Sequence, residues 1–550
     1  MIDGVVPFPP EFAARYRARG YWRDRPLRAE FDDVFHTYAD RIAVVDGPEQ
    51  ITYRQLDERS THLARNLVDL GLRAGDRVVV QLPNTAIFVY LYFALQKLGA
   101  VPVLALPSHR YREIAHCVSL TDAVACAVPA RHRSSRDGDF SFPDMVRRIG
   151  KDQERQLLGL VQGSDDPLDD RFVALEELLL RKPDAPEEAL ASVEIDPDDP
   201  AVFLLSGGTT GVPKLIPRSH NDYVFNSRLA VSVCDVSPDD ALLLALPIEH
   251  NLPLACPGLQ GFLLRGARVV LSTSTRPADV FDLVERHRVT HIHLVPSLLI
   301  RWLADPGIGS HDLSSLRVLQ SGGQRLQPEV RERAGRLIPT AVVQENFGMA
   351  EGLLMFVRLD DPDDVRRETC GRPICPDDEV RLVDDDGRDV PPGEVGELCV
   401  RGPYTLRGYF RAPEHNTKAF TPDGYYLTGD LMRLHPSGNY VVEGRKKDLI
   451  NRGGEKISAE EVENLILAHP DVANVACVPV PDEVLGERMC ACVVLRPGTE
   501  LELGELCDFL LAFEIAKHKL PERLEFFDEL PLSPIGKVSK KDLVASVTEG

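Results

Sequence analysis

The residues best suited to chemistry lie together between Ser206 and Lys214. This stretch, Ser-Gly-Gly-Thr-Thr-Gly-Val-Pro-Lys, contains three glycines, three hydroxyls and one lysine, and it follows the apolar run from Ala201 to Leu205. Glycines let backbone N–H groups approach an anion closely, while hydroxyls and an ammonium add further donors. The stretch therefore indicates a phosphate-binding loop after a short buried strand, although a flexible surface loop has a similar composition.

The loop does not fit the Walker pattern of nucleotide triphosphatases. Pro213 stands where that pattern requires its last glycine, and Leu215 follows Lys214 where a metal-binding hydroxyl is required. A Walker-type ATPase is therefore disfavoured.

The same residues resemble the phosphate-loop signature of the adenylate-forming superfamily, which includes acyl-CoA ligases, firefly luciferase and the adenylation enzymes of nonribosomal peptide synthesis. The resemblance extends from about Phe8 to about Leu543. It implies ATP and Mg²⁺ as cofactors. The loop residues implied to bind phosphate are Ser206, Gly207, Gly208, Thr209, Thr210, Gly211 and Lys214.

Two further motifs resemble family elements that surround the nucleotide. Gly322-Gly323-Gln324 corresponds to the segment that lies along adenine, and Phe347 to Glu351 resembles the aromatic-Gly-x-Thr-Glu motif. The resemblance implies that Glu351 binds Mg²⁺, while Ala350 replaces the usual Thr and removes a hydroxyl contact to phosphate. The nucleotide site is expected to include Gly322, Gly323, Gln324, Asn346, Phe347, Gly348, Met349 and Ala350.

The ribose and the reacting carboxylate also have implied partners. Tyr426-Leu427-Thr428-Gly429-Asp430 matches the family's [YW]-x-[ST]-G-D motif, whose Asp accepts hydrogen bonds from both ribose hydroxyls. Arg445 is implied to meet the ribose or phosphate side. Pro534-Ile535-Gly536-Lys537 resembles the Pro-x-Gly-Lys motif, whose lysine bridges the carboxylate and the α-phosphate. A solvated lysine is the ordinary alternative for Lys537.

Lys537 lies far along the chain from the phosphate loop, so a C-terminal domain must close to bring the two together. We predict an N-terminal adenylation core at 1–443, a hinge at 444–447 with Lys447 as its pivot, and a mobile lid at 448–550. The predicted fold is that of an adenylate-forming enzyme. It has a large α/β domain of parallel sheets covered by helices, a small β-rich subdomain and a small α+β C-terminal domain.

The hydrophobic pattern supports this organisation. A helix is predicted to open at Thr52, a buried strand covers Arg77 to Leu82 and a helix covers Ala86 to Leu98, and such alternation is typical of a parallel sheet. Residues 131–170 are predicted to form a long surface excursion. Short strands are predicted between Cys375 and Tyr409, and a helix from Ala459 to His469 follows the N-cap Ser458.

The stretch from Leu246 to Asn251 resembles the His-Asn element of stand-alone aryl-acid–AMP ligases, such as 2,3-dihydroxybenzoate and salicylate ligases. There the His shapes the carboxylate end and the Asn amide bonds the ortho substituent. Cys256 and Leu354 match the Cys and Leu of salicylate ligases rather than the Ser and Val of dihydroxybenzoate ligases. The implied substrate-binding residues are His250, Asn251, Leu252, Cys256, Gly323, Asn346, Gly352 and Leu354. The implied catalytic residues are Lys537, Glu351 and His250.

Three departures from the family pattern lie in this pocket. Leu252 replaces an aromatic residue, Asn346 replaces an apolar residue, and Glu249 adds an acceptor for an amino group. An unpaired buried amide costs about 1–3 kcal/mol, so Asn346 is expected to meet a polar substrate atom or water. We therefore predict activation of an ortho-hydroxy or ortho-amino aryl acid: salicylate, 3-hydroxyanthranilate or 3-hydroxypicolinate.

Composition excludes several other classes. The chain of 550 residues is too long for one core, and its net charge of −22 argues against nucleic acid or an anionic membrane as a partner. No apolar run approaches the ~18 residues of a membrane span. Eleven cysteines without a C-x-x-C pair, together with no signal peptide, predict a cytoplasmic protein.

Three functions remain open at this stage. The leading one is a ligase that makes aryl-AMP and passes the aryl group to the phosphopantetheine thiol of a separate carrier protein, in siderophore or other nonribosomal peptide biosynthesis. The second is an aryl-CoA ligase that uses free CoA. The third, a non-catalytic adenylate-binding protein, is disfavoured by the presence of Glu351, Asp430 and Lys537.

Overall fold

The computed structural model describes residues 2–134, 138–164, 167–206, 213–453, 455–482, 484–513, 515–533 and 537–548. The strands are β1 Ile42–Asp46, β2 Glu49–Thr52, β3 Arg77–Val80, β4 Val101–Leu104, β5 Ala125–Pro129, β6 Arg131–Ser134, β7 Gly138–Ser141, β8 Leu158–Gln162, β9 Phe172–Ala174, β10 Pro200–Leu205, β11 Leu215–Ser219, β12 Ala241–Leu244, β13 Arg268–Leu271, β14 His291–Leu294, β15 Val318–Gly322, β16 Val342–Met349, β17 Gly352–Phe356, β18 Arg372–Pro373, β19 Glu379–Val383, β20 Gly396–Arg401, β21 Tyr426–Leu434, β22 Tyr440–Arg445, β23 Leu449–Arg452, β24 Glu455–Ser458, β25 Val472–Asp482, β26 Gly486–Leu495 and β27 Arg523–Phe526.

The helices are α1 Pro10–Ala18, α2 Leu27–Thr37, α3 Tyr53–Asp69, α4 Ala86–Leu98, α5 Tyr111–Thr121, α6 Phe142–Asp152, α7 Leu175–Leu180, α8 Glu188–Ala191, α9 His220–Ser232, α10 Asn251–Ala255, α11 Gly258–Leu264, α12 Pro277–His287, α13 Pro296–Ala304, α14 Pro328–Leu337, α15 Asp363–Glu368, α16 Pro413–Ala419, α17 Ala459–Leu467, α18 Leu503–Leu511 and α19 Lys540–Thr548. Within the described ranges, no helix is both long and apolar enough to cross a membrane.

Two large sheets form the N-terminal part of the chain. One has the strand order β18-β17-β16-β15-β14-β12-β13-β1-β2, and the other has the order β11-β10-β4-β3-β5-β8-β9. Their central strands run parallel, as in the β14–β15–β16 register, and helices connect them. Helix α3 begins after Thr52, whose side chain accepts a hydrogen bond from the Gln55 amide, and α4 matches the predicted Ala86–Leu98. The α/β prediction is confirmed.

The prediction of a surface excursion over 131–170 is wrong for most of that segment. Helix α6 buries Phe142, Met145, Val146 and Ile149, and β8 pairs with β5 inside the second sheet. The segment was interpreted as a surface excursion because it contains many charged residues. Helix α6 is nevertheless strongly amphipathic, and its apolar side chains recur at the helical spacing and pack into the core.

The remaining sheets are smaller. Strands β19 to β22 form an antiparallel sheet that confirms the β-rich subdomain but extends beyond Tyr409 to Arg445. Strands β23 to β27 form a mixed sheet packed with α17 and α19, which confirms the small α+β region. Helix α17 ends at Leu467, earlier than predicted, and Ser458 caps it by accepting a hydrogen bond from the Glu461 amide. The hinge at 444–447 stays a prediction; a 3₁₀ turn at Lys446–Asp448 lies there.

The fold brings several predicted site residues to one edge of the first sheet. Strands β12, β14 and β15 run parallel with β16, so their carboxyl ends lie side by side. The chain leaves β12 towards His250, β15 ends at Gly322 and β16 ends at Met349. Clefts at the carboxyl ends of parallel strands are the usual ligand sites of α/β folds.

Candidate active site

The ends of the phosphate loop are held together by the hairpin of β10 and β11. The Ser206 amide donates to the Lys214 carbonyl oxygen at 2.9 Å, and the Lys214 amide donates to Ser206 Oγ at 3.0 Å. The Lys214 ammonium lies 5.1 Å from the centroid of the Tyr409 ring. The predicted residues Gly207, Gly208, Thr209, Thr210 and Gly211 lie outside the described residues. The two hydrogen bonds between Ser206 and Lys214 therefore hold the first and last residues of the loop next to each other.

Glu351 lies in the tight turn between β16 and β17. Tyr409 donates its hydroxyl to Glu351 Oε1 at 2.8 Å and lies 2.9 Å from the Tyr426 hydroxyl. Burial raises the pKa of Glu351, and the bond from Tyr409 opposes that shift. The predicted pocket residue Gly352 closes this turn instead of lining the cavity: at φ +129° its Cβ would lie 2.4 Å from the Thr405 Cα.

A buried arginine, Arg218, donates hydrogen bonds that connect the same turn to a neighbouring segment. Arg218 donates from Nη1 to the Ala350 carbonyl oxygen at 3.0 Å and from Nη2 to the Tyr404 carbonyl oxygen at 3.2 Å. Its Nε donates to Asp222 Oδ1 at 2.8 Å, and both side chains are almost fully buried. The sequence pattern did not point to Arg218 or Tyr409, because the groups of the β16–β17 turn that they contact lie 132 and 58 residues away along the chain.

The predicted ribose pair lies on adjacent strands. Asp430 of β21 and Arg445 of β22 are direct partners in the sheet, and Arg445 Nε donates to Asp430 Oδ1 at 2.7 Å. Burial raises the pKa of the Asp430 carboxyl, whereas Arg445 lowers it. An ionised carboxylate has about four acceptor sites on its two oxygens, so one that is bonded to an arginine can still accept hydrogen bonds from two neighbouring hydroxyls.

Lys537 reaches this edge of the N-terminal sheet from the C-terminal part of the chain. A Cβ built on Gly323 would lie 2.5 Å from Lys537 Cε, so the side chain passes directly over this glycine. Burial, followed by the charge of Arg445, lowers the pKa of Lys537 to about 8. The predicted hinge residue Lys447 is exposed, as is Gln324. In this structure the C-terminal part of the chain therefore places Lys537 against the N-terminal sheet.

A cavity lies beside Lys537, and most predicted substrate residues line it. These are His250, Asn251, Leu252, Cys256, Gly323, Asn346 and Leu354. Gly322, Gly348, Met349 and Ala350 also line the cavity, while Phe347 of the same strand does not. Val295 and Phe356 line it although sequence reasoning missed them; Val295 directly follows the parallel strand β14, where a site residue is expected.

The polar groups of the cavity are held in fixed orientations. Tyr223 donates its hydroxyl to Asn251 Oδ1 at 3.1 Å, and Asn226 Nδ2 donates to the Cys256 thiol at 3.3 Å. Burial, and then the charge of Lys537, lower the pKa of His250 to about 4, which keeps its ring uncharged. Glu249, which we expected to serve the pocket, is fully enclosed and does not line it; burial raises its pKa well above its usual range.

Glu351 fits a Mg²⁺ ion that is shared with phosphates. Mg²⁺ is usually bound by one or two carboxylates together with substrate phosphates and water. Among the described residues, no cluster of three or more His, Cys, Asp or Glu side chains could hold a metal by itself. The single buried carboxylate of Glu351 is linked through Tyr409 to Lys214 at the end of the loop, which agrees with that mode of binding.

The α/β fold, the buried Glu351 and the approach of Lys537 from the C-terminal part of the chain are compatible with an enzyme that activates an acid with a nucleotide. The model of AMP-binding enzymes matches residues 31–410, and the model of their C-terminal domain matches residues 461–537. The chain belongs to the AMP-binding enzymes, which confirms the adenylate-forming prediction and the use of ATP.

Similar proteins cover almost the whole chain. A salicylyl-CoA synthase / salicylate adenylyltransferase of Streptomyces sp. is 50% identical over 98% of this chain and 97% of its own length. A salicyl-AMP ligase / salicyl-S-ArCP synthetase of Mycobacterium tuberculosis is 42% identical over 99% of this chain and 94% of its own length. The apo structure of MbtA from Mycobacterium smegmatis is 42% identical over 98% of both chains, with a TM-score of 0.74.

Proposed function

We propose that this enzyme activates an ortho-hydroxy or ortho-amino aryl carboxylic acid with ATP. The observation that carries the proposal is the cavity itself, whose lining combines apolar side chains, among them Leu252, Cys256 and Leu354, with Lys537. Apolar side chains suit an aromatic ring, and a cationic group suits a carboxylate. The salicylate relatives described above support this substrate class.

In the proposed first step, a carboxylate oxygen of the acid attacks the α-phosphorus of ATP, and pyrophosphate leaves to give aryl-AMP. Lys537 stabilises the negative charge shared by the carboxylate and the α-phosphate, since it is positioned before the reaction and needs no reorganisation. His250, kept uncharged, shapes the carboxylate end. In the second step a thiol sulfur attacks the aryl carbonyl carbon, and AMP leaves to give a thioester.

The proposed nucleotide contacts are those that the resemblance to adenylate-forming enzymes implies. Asp430 accepts hydrogen bonds from the ribose hydroxyls, Arg445 pairs with it, and Gly322 to Gln324 lie along adenine. Ser206 and Lys214 hold the two ends of the phosphate loop. Glu351 holds Mg²⁺, which neutralises phosphate charge when it is bound. Lys447 is the proposed pivot between the core at 1–443 and the lid at 448–550.

The proposed acceptor is the phosphopantetheine thiol of a separate carrier protein, and free CoA is the second candidate. The Mycobacterium tuberculosis relative is named for an aryl carrier protein, whereas the Streptomyces relative is named for CoA. Incubating the enzyme, ATP and the aryl acid with either CoA or a holo-carrier protein distinguishes them. A reducing cytoplasm is the proposed location, because all eleven cysteines are free thiols.

The substrate class is tested by a panel of acids in ATP–pyrophosphate exchange. We expect salicylate, 3-hydroxyanthranilate or 3-hydroxypicolinate to exchange at least ten times faster than benzoate, because Asn251 supplies a partner only for an ortho substituent. Decanoate and phenylalanine serve as controls. Exchange confined to fatty or amino acids contradicts the proposal.

The hydrogen bond from Tyr409 gives a further prediction. A Tyr409→Phe variant leaves the Glu351 carboxylate without its donor, which raises the pKa of that carboxyl further and weakens its hold on a cation. We expect the Mg²⁺ concentration at half-maximal exchange to rise about 3- to 10-fold, which corresponds to the loss of one hydrogen bond of typical net strength, about 1 kcal/mol. Tyr425→Phe, which removes a hydroxyl bonded to Glu379 instead, is the control and should leave the Mg²⁺ dependence unchanged.

A further inference from the structure

Two carboxamides line the aryl cavity, and they come from different walls. Asn251 begins helix α10, whereas Asn346 lies on β16 directly across from Gly322 of β15. Asn251 directly follows His250, and Gly323, next to Gly322, lies against the Lys537 side chain. Both amides therefore line the same cavity as His250 and Lys537.

The orientation of Asn251 is set by its neighbours. Its carbonyl oxygen accepts from the Tyr223 hydroxyl at 3.1 Å, and its amide nitrogen donates to the Met349 carbonyl oxygen at 3.4 Å and also interacts with the Cys256 thiol. Because the oxygen is occupied, a ligand atom beside this amide meets its N–H groups, whose hydrogen bond to Met349 is long. A hydroxyl oxygen accepts such a bond well, whereas an aromatic amino group, whose lone pair is delocalised, is a poor acceptor.

Asn346 offers a second donor. The residue is 7% exposed, and its amide nitrogen is shielded from solvent with no hydrogen-bond partner among the described residues. Its Oδ1 packs over Gly322, where an added Cβ would lie only 2.1 Å away, so the amide occupies space that only a glycine leaves. An apolar side chain at this position would fill the same wall without an unpaired buried N–H group. The presence of Asn346 therefore indicates that a ligand atom accepts a hydrogen bond from its N–H group.

We propose that the substrate carries a hydrogen-bond acceptor on both sides of its carboxylate: a hydroxyl towards Asn251 and a ring nitrogen towards Asn346. Its chemical class is a 3-hydroxypyridine-2-carboxylate. A ring nitrogen replaces a C–H group, so it adds no volume and brings no donor of its own for the wall to satisfy. This inference rests on the proposed function and narrows its substrate.

The test compares salicylate, 3-hydroxypicolinate and 2,6-dihydroxybenzoate by kcat/KM in ATP–pyrophosphate exchange. The full-length enzyme is compared with Asn346→Leu, which keeps the approximate shape and removes the amide. We expect the native enzyme to prefer 3-hydroxypicolinate over salicylate by about tenfold or more, and the variant to lower that ratio by about 10- to 100-fold. Salicylate should gain in the variant while 3-hydroxypicolinate loses, which a general loss of folding cannot produce.

Asn346→Val provides a second variant in case the leucine is too large for the wall. A ratio that stays the same in both variants overturns the inference. A native preference for 2,6-dihydroxybenzoate that both variants abolish also overturns it, because Asn346 then bonds a hydroxyl oxygen. If the native enzyme exchanges salicylate and 3-hydroxypicolinate at equal rates, only this inference is overturned. If it exchanges no aryl acid, the proposed function itself is overturned.

Discussion

Replacing Lys537 with alanine lowers the rate of aryl-adenylate formation by about 10²- to 10³-fold, the usual loss when one preorganised charge-stabilising group is removed. The side chain passes over Gly323 into the cavity, where burial has already lowered its pKa to about 8. ATP–pyrophosphate exchange measures this step. Thioester formation from supplied aryl-AMP should fall far less, because that step has no leaving pyrophosphate.

The pH dependence provides an independent readout for Lys537. The ammonium form is needed, and it predominates below the pKa of about 8 and is lost above it. The value of kcat/KM for the native enzyme should therefore fall as pH rises through about 8, and the alanine variant should lack this descending limb. Lys541→Ala, at an exposed position on the same segment, is the control. Exchange within threefold of the native rate in Lys537→Ala would contradict the role.

Replacing Glu351 with glutamine is expected to lower the exchange rate by about 10²-fold and to raise the Mg²⁺ requirement. The amide has nearly the same shape and can still accept from Tyr409, so the turn between β16 and β17 should be kept. What is lost is the negative charge that a divalent cation requires. A titration of exchange rate against Mg²⁺ concentration measures the effect.

Glu345 is the matched control for this experiment. It lies on the same strand as the Glu351 turn and is also buried, but it is paired with Arg331 at 2.9 Å. Glu345→Gln leaves a buried arginine without its charge partner, so it should lower the free energy of unfolding by about 3 kcal/mol without changing the Mg²⁺ dependence. An identical shift in Mg²⁺ requirement for both variants would refute the assignment of Glu351.

Sequence patterns correctly predicted the helices and N-caps that are stabilised by interactions between residues close together in the chain. Helix α4 and the N-caps at Thr52 and Ser458 agree with the sequence, because periodic apolar side chains and a hydroxyl before the first turn act within a few residues. The prediction for segment 131–170 was wrong because its many charged residues obscure the apolar residues of α6, which form one face of the helix and pack into the core. The pattern could not tell which residues that face would meet.

The site divides in the same way. The sequence by itself supplied the candidate residues: the Ser206–Lys214 stretch, Glu351, Asp430, the His-Asn pair and Lys537, whose roles are implied by the motifs that they share with adenylate-forming enzymes. Only the tertiary structure decided which of them meet. The parallel strands bring their carboxyl ends to one edge, and the C-terminal part lays Lys537 over Gly323. The tertiary structure also excluded Glu249 from the cavity and left the Asn346 amide nitrogen without a hydrogen-bond partner among the described residues, because burial and pairing depend on contacts between distant parts of the chain.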